Sequence, residues 1–254
     1  MTRQKRNIRL PKSVQSLLLG LLIFNVMWWF VAIMFQNKAL PNPIDVYAAF
    51  PKALSQGMLE HSAASLQRIV FGTVIALLLG LLGGILTGTS KTADKLLNPL
   101  LYLSYPVPKL ALLPIVMILF GIGETTKVVM IVLIIVFQLM ISIRDAIRHI
   151  DKENFYVLSS LGASRMEKLR HVILPGILPE TFSALRVSVG IATSVLFVTE
   201  TFGTDKGLGF YIIDAWMRLD YMMMYAGIVA ISIIGFLLFV VIDVMDSVFC
   251  KWKR

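Results

Sequence analysis

Few residues in this chain have the types and spacings that support covalent or acid–base chemistry. Its three histidines, His61, His149 and His171, are scattered and form no His-Glu-x-x-His pair, and no Gly-x-Ser-x-Gly elbow presents a nucleophile. No Gly-Lys dipeptide occurs, so a phosphate-cradling loop of the usual form is absent. The expectation is no catalytic residue, no metal ligand and no cofactor. What stands out instead is charge in apolar surroundings. Lys109, Arg186 and Glu200 lie within hydrophobic runs, where an ionised side chain needs a partner, a water-filled cavity or a nearby interface. Arg186 can snorkel toward a helix end. Glu200, flanked by Thr199 and Thr201, reads either as facing a translocation cavity or its outer gate, or as a structural hydrogen-bond acceptor. At about 1.5 Å per residue, Arg186 is roughly 21 Å along the helix from Glu200, too far to pair with it. Ser188, Thr193 and Ser194 add polar groups to the same segment.

Composition says what kind of element holds these charges. With 254 residues, 57% hydrophobic and 15% charged, the chain reads as an all-α polytopic membrane protein. Its only cysteine, Cys250, excludes an intrachain disulfide. Six apolar stretches of membrane-crossing length are expected, at about 17–36, 66–89, 100–120, 126–144, 180–202 and 223–249. The first follows a basic segment, 1–16, but is too long for a cleavable signal and reads as a retained span. The third is interrupted by Pro106, Pro108, Lys109 and Pro114 and is expected to be broken or bent. A broken span lies against a cavity or is repaired by neighbouring helices, so Pro108 and Pro114 join Ser194 and Glu200 as translocation-path candidates.

Between the first two spans, residues 37–65 carry Pro41, Pro43 and Pro51, which favour an extended start followed by a short surface helix. Residues 66–249 form a five-span core, and 250–254 a short tail. The second span carries Gly72, Ala76, Gly80, Gly84 and Gly88 at every fourth position, a small-residue face for close helix contact. Placing both termini in the cytoplasm gathers most of the 24 lysines and arginines there, as the positive-inside rule expects. The net charge of +9 is then topological, and no basic face interleaved with aromatics indicates nucleic-acid binding.

The loop at 145–179, between the fourth and fifth spans, is charged. Gly162 permits a sharp turn, Ser164 and Glu167 form a Ser-x-x-Glu capping box that starts a short helix, and Leu174-Pro175 is expected to end it. This stretch resembles the cytoplasmic loop of type I ABC importer permeases, whose motif runs Glu-Ala-Ala, three residues, Gly, nine residues, Ile-x-Leu-Pro. Gly162, Val172, Leu174 and Pro175 fall in that register, while Tyr156-Val157-Leu158 stands in place of Glu-Ala-Ala. Pro108, Ala111 and Pro114, then Phe120-Gly121-Ile122-Gly123, look like the nitrate, sulfonate and taurine branch, and Gly207-Leu208-Gly209 follows Glu200. The resemblance implies that the loop forms coupling helices seated on a separate ATPase subunit. Tyr156, Leu158, Gly162, Ala163, Ser164, Arg165, Val172, Leu174 and Pro175 would carry that contact. It further implies two ATPase copies, a periplasmic solute-binding protein, a permease homodimer in the bacterial inner membrane, and a small anion as solute. The alternative class is a self-sufficient secondary transporter or channel, which would need well-placed mid-span coupling carboxylates.

Overall fold

The computed structural model describes residues 12–104 and 106–253; the basic segment up to Pro11, with Tyr105 and Arg254, lies outside the described residues. All regular elements among the described residues are helical. They are α1 (Lys12–Phe35), α2 (Pro43–Ala48), α3 (Phe50–Ala53), α4 (Leu59–Thr89), α5 (Lys91–Ser104), α6 (Leu113–Phe120) and α7 (Glu124–Arg148). There follow α8 (Lys152–Ser160), α9 (Arg165–Lys168), α10 (Leu174–Glu200), α11 (Leu208–Met217) and α12 (Tyr221–Phe249).

Four continuous helical runs among the described residues are long and apolar enough to cross a membrane: Phe50–Thr89, Glu124–Arg148, Arg165–Glu200 and Tyr221–Phe249. A fifth forms if α5 and the run Lys109–Phe120, bent by 90° from each other, make one span. Four or five of the six expected spans are thus found among the described residues, and the first falls within α1, whose apolar part is described over Leu19–Phe35. The bend has a chemical cause: Pro106 and Pro108 lack the amide hydrogens that would continue the helix, and each disfavours helical backbone in the residue before it. The second span also starts earlier than expected. Residues 59–65 are already part of α4, and only α2 and α3, with a break at Gln56 and Gly57, occupy the preceding segment.

The glycine face of α4 fixes the centre of the bundle. Gly72 faces Ile131, Gly80 faces Leu139, Gly84 faces Ile143 and Gly88 faces Ile147, a constant offset of 59 residues that only parallel helices can give. A Cβ on any of these glycines would lie 2.7–2.8 Å from the facing side chain. The backbones are therefore as close as the absence of side chains allows, which is how helices gain dispersion contacts where lipid removes the hydrophobic incentive. Because α4 and α7 are parallel, the chain between Thr89 and Glu124 must return across the bundle. The bent α5–α6 pair makes that return.

α10 runs the opposite way. Its approach, Ile173 and Ile177, packs with Ile143 and Ile147 at the end of α7, and its last residue, Glu200, meets Arg68 near the start of α4. α12 returns beside it, with Ile242 packed among Phe182, Leu185 and Val189. α1 leans on α12 through Trp28, stacked 5.6 Å from Tyr225, while the Trp28 indole donates to the Pro41 carbonyl at 3.1 Å. The bundle thus has a loop end, carrying α8 and α9, and an opposite end, carrying α2, α3 and α11.

One expectation about the loop is overturned. Leu174-Pro175 does not end a helix, because a π-type segment, Leu169–Ile173, carries α9 directly into α10. Pro175 sits in the first turn of α10, where a proline's missing amide hydrogen is tolerated.

Candidate functional site

At the loop end, two local motifs fix the path of the chain. α8 closes with a Schellman pattern: Ala163 N donates to Leu158 O at 2.9 Å and Gly162 N to Ser159 O at 3.0 Å. Gly162 has φ +75°, a left-handed conformation that strains any residue with a Cβ. Ser164 then caps α9, its hydroxyl accepting from Glu167 N while the Glu167 carboxylate accepts from Ser164 N at 2.6 Å. Phe155 and Leu169 anchor the loop by packing on the isoleucines shared by α7 and α10. The opposite face is open. Tyr156, Val157, Leu161 and Met166 are 61–76% exposed, an apolar surface on a loop that is otherwise charged. Gly162, Ser164 and Arg165 are exposed beside it, whereas Leu158, Ala163, Val172 and Pro175 are half-buried.

At the other end, charge is buried. The Glu200 side chain is 0% exposed and accepts from Arg68 Nη1 at 2.6 Å, from Gly209 N at 2.8 Å and from the Ser65 hydroxyl at 2.8–2.9 Å. Arg68, itself 4% exposed, uses Nε and Nη2 to grip Glu124, whose carboxylate is 66% exposed, and Nη1 also donates to Lys206 O at 2.8 Å. Ser65 Oγ accepts from Leu208 N at 2.8 Å, and His61 Nδ1 accepts from Gly207 N at 3.1 Å. The Gly207-Leu208-Gly209 turn thus aims one amide donor of the α11 start, Gly209 N, at the carboxylate, where the helix dipole also favours negative charge. A Cβ on Gly209 would fall 2.6 Å from Phe197 O, so only glycine lets α11 approach so closely. Lys127 is also buried here, its Nζ 3.3 Å from Gly123 O and 4.0 Å from Glu124. Two cations and two carboxylates therefore bind α4, α7, α10 and the start of α11 into one joint.

Midway between these ends lies a cavity of about 430 Å³, lined by Val107, Pro108, Lys109, Leu110, Ile134, Ile191, Ser194 and Val195. Two of the path candidates, Pro108 and Ser194, thereby share one space. Pro114 stands apart on α6, exposed, and Glu200 is enclosed in the joint rather than open to the cavity. Lys109 donates to Ser104 O at 2.7 Å and lies over the Phe137 ring at 5.8 Å. Arg186 pairs with Asp243 of α12, Nε donating at 2.7 Å.

A family model described as "Binding-protein-dependent transport system inner membrane component" matches residues 72–254. The chain belongs to this family. Among curated relatives, the taurine transport system permease protein TauC of Escherichia coli (strain K12) is 38% identical over 240 residues, covering 91% of this chain and 87% of its own. The putative aliphatic sulfonates transport permease protein SsuC of Bacillus subtilis (strain 168) is 32% identical, covering 85% of this chain and 78% of its own. A chain of the inward-facing MetNI methionine ABC transporter shares the fold, with TM-score 0.61 at 21% identity, over 78% of this chain and 96% of that one. The protein is a membrane permease of an ABC importer, and its family implies an ATPase and a binding protein as partners.

Sequence reasoning singled out Glu200, which the structure places in the joint, but not the residues that hold it. Arg68, Ser65, Glu124 and Lys127 carry no motif of their own. The available signal was electrostatic: an arginine one turn into one apolar span and a glutamate at the far end of another, which the antiparallel arrangement of the two spans brings to the same depth. The exposed Val157, Leu161 and Met166 were equally silent, because surface exposure on a loop has no periodicity to read.

Proposed function

We propose that this permease carries a small sulfonate of the taurine and alkylsulfonate type, delivered by a solute-binding protein to the end bearing α2, α3 and α11. In this reading the loop end faces the cytoplasm with both termini. ATP is hydrolysed on a separate subunit, and two permease copies pair with two ATPase copies. The observation that carries the reading is the exposed apolar face of Tyr156, Val157, Leu161 and Met166, held rigid by the Schellman turn and capping box and standing beyond the membrane-length helices. An apolar patch on a polar loop supports a protein partner rather than lipid. Gly162, Ala163, Ser164 and Arg165 frame that face, and the half-buried Leu158, Val172 and Pro175 belong to the same loop with Leu174, which is 39% exposed. The solute class rests on the taurine and sulfonate relatives.

The test is reconstitution of the permease with its ATPase and binding protein in proteoliposomes. Taurine and ethanesulfonate should accumulate with ATP hydrolysis, and Leu161→Asp should abolish co-purification of the ATPase while the permease remains inserted. A cysteine at position 165, in a Cys250→Ser background, should react from the cytoplasmic face alone; reaction only from the outer face would reverse the topology and remove the docking assignment.

A further inference from the structure

The cavity at the broken helix contains a cation that neither the loop nor the ion joint uses. Lys109 sits where α5 gives way to the Lys109–Phe120 run, and one of its three ammonium protons is taken by Ser104 O at 2.7 Å. The Phe137 ring face lies 5.8 Å away. The wall opposite is aliphatic, from Ile134, Ile191 and Val195, and its polar member is the Ser194 hydroxyl, which is exposed and holds Gly190 O at only 3.2 Å. No carboxylate lines the space.

Depth can be read along the helices. Ile134 lies ten residues after Glu124 and Ile191 nine before Glu200, and both glutamates bind Arg68. At about 1.5 Å per residue each is roughly 14–15 Å from that joint, halfway across a hydrocarbon core of about 30 Å. An ammonium at mid-depth is costly unless something polar repeatedly shares its surroundings. The break in the helix gives it that access, since irregular backbone at this depth persists where it lines a cavity.

We propose that Lys109 and Ser194 form the permease's own solute site, with Lys109 as counter-ion to the sulfonate head and the aliphatic wall receiving the short tail of an alkylsulfonate such as ethanesulfonate. This rests on the reading of the solute as a sulfonate and deepens it by naming the residues that select for its anionic head. Among the described residues lining the space, one ammonium, one hydroxyl and no carboxylate match a single sulfonate or carboxylate group. The volume of about 430 Å³ lies within the range of small-molecule sites.

Two measurements test it. In a Cys250→Ser background, Ser194→Cys is labelled with an anionic and a cationic thiosulfonate reagent of equal size in the assembled complex. With Lys109 present the anionic reagent should be favoured, and adding Lys109→Gln should lower the anionic-to-cationic rate ratio roughly fivefold, as a unit charge at several ångströms in a partly wet cavity dictates. Uptake of ethanesulfonate by the full reconstituted complex should show a KM raised about tenfold by Lys109→Gln and restored by Lys109→Arg. A lysine that merely holds Ser104 would instead lower the yield of assembled complex, leaving the labelling ratio and the KM per complex unchanged, and that result overturns the proposal. If wild-type complex moves neither taurine nor ethanesulfonate, the solute assignment fails, and the labelling ratio still decides whether Lys109 imposes anion preference.

Discussion

Glu200→Gln isolates the buried charge of the ion joint with almost no change in volume. The carboxylate offers acceptors on both oxygens: one side takes Arg68 Nη1 at 2.6 Å, the other Gly209 N at 2.8 Å, with Ser65 Oγ within reach of both. A glutamine keeps one acceptor. Its amide nitrogen must then face either the Gly209 N–H or the arginine, so one buried donor is left unpaired whichever way the amide is flipped, at about 1–3 kcal/mol. Removing one partner of a buried ion pair costs about 3–5 kcal/mol, and here the lower end applies because Arg68 keeps Glu124 and Lys206 O. The expected loss is about 3 kcal/mol. For a domain of this size that lowers the thermal midpoint by roughly 6–12 °C. Glu124→Gln is the internal control. Its carboxylate is 66% exposed, so solvent can replace it, and its loss should cost under about 1.5 kcal/mol. The assay is thermal unfolding of the purified complex in detergent, with uptake measured per assembled complex on the same samples. Glu200→Gln should lower yield and midpoint while uptake per complex stays within about twofold. A midpoint shift under about 2 °C, or a larger shift for Glu124→Gln than for Glu200→Gln, would refute the reasoning.

Two further substitutions probe the elements that position the sites. Gly84→Ala places a Cβ 2.7 Å from Ile143 Cβ and 2.9 Å from the Met140 carbonyl, so α4 and α7 must separate; a loss of about 1–3 kcal/mol in thermal unfolding is expected, against no loss for Gly20→Ala, which lies inside α1 and meets nothing within 4 Å. Gly162→Ala has room for its methyl but must hold φ +75°, at about 1–2 kcal/mol; solute-stimulated ATP hydrolysis should fall while membrane insertion is retained, and Gly162→Asn should recover part of it.

What the sequence disclosed and what it concealed divide along a physical line. Features set within one or two turns of chain were legible: the Ser164–Glu167 box, the Gly162 turn, the proline break after α5 and the small-residue face of α4. Each depends on dihedral preference or on helical spacing, which neighbouring residues encode. The run from α9 through Pro175 was misread for the same reason in reverse. Proline after an apolar residue ordinarily marks a stop, and only the packing of Ile173 and Ile177 on α7 makes a π turn the better outcome.

The ion joint could not be seen locally because the partners of Arg68 lie 56 to 138 residues away from it. The topological count of charges also worked against it. On the proposed orientation, Arg68 and Lys127 fall on the side that the positive-inside rule leaves poor in cations, where they look like exceptions to be tolerated. Their burial reverses that meaning. An arginine that is 4% exposed and shared by two carboxylates is no topogenic charge; it is the group that ties α4 to α7 and α10. A cation on the unfavoured side of a membrane protein therefore asks for an acidic residue at matching depth on an antiparallel span. In this chain, following α10 upward from the loop arrives at Glu200.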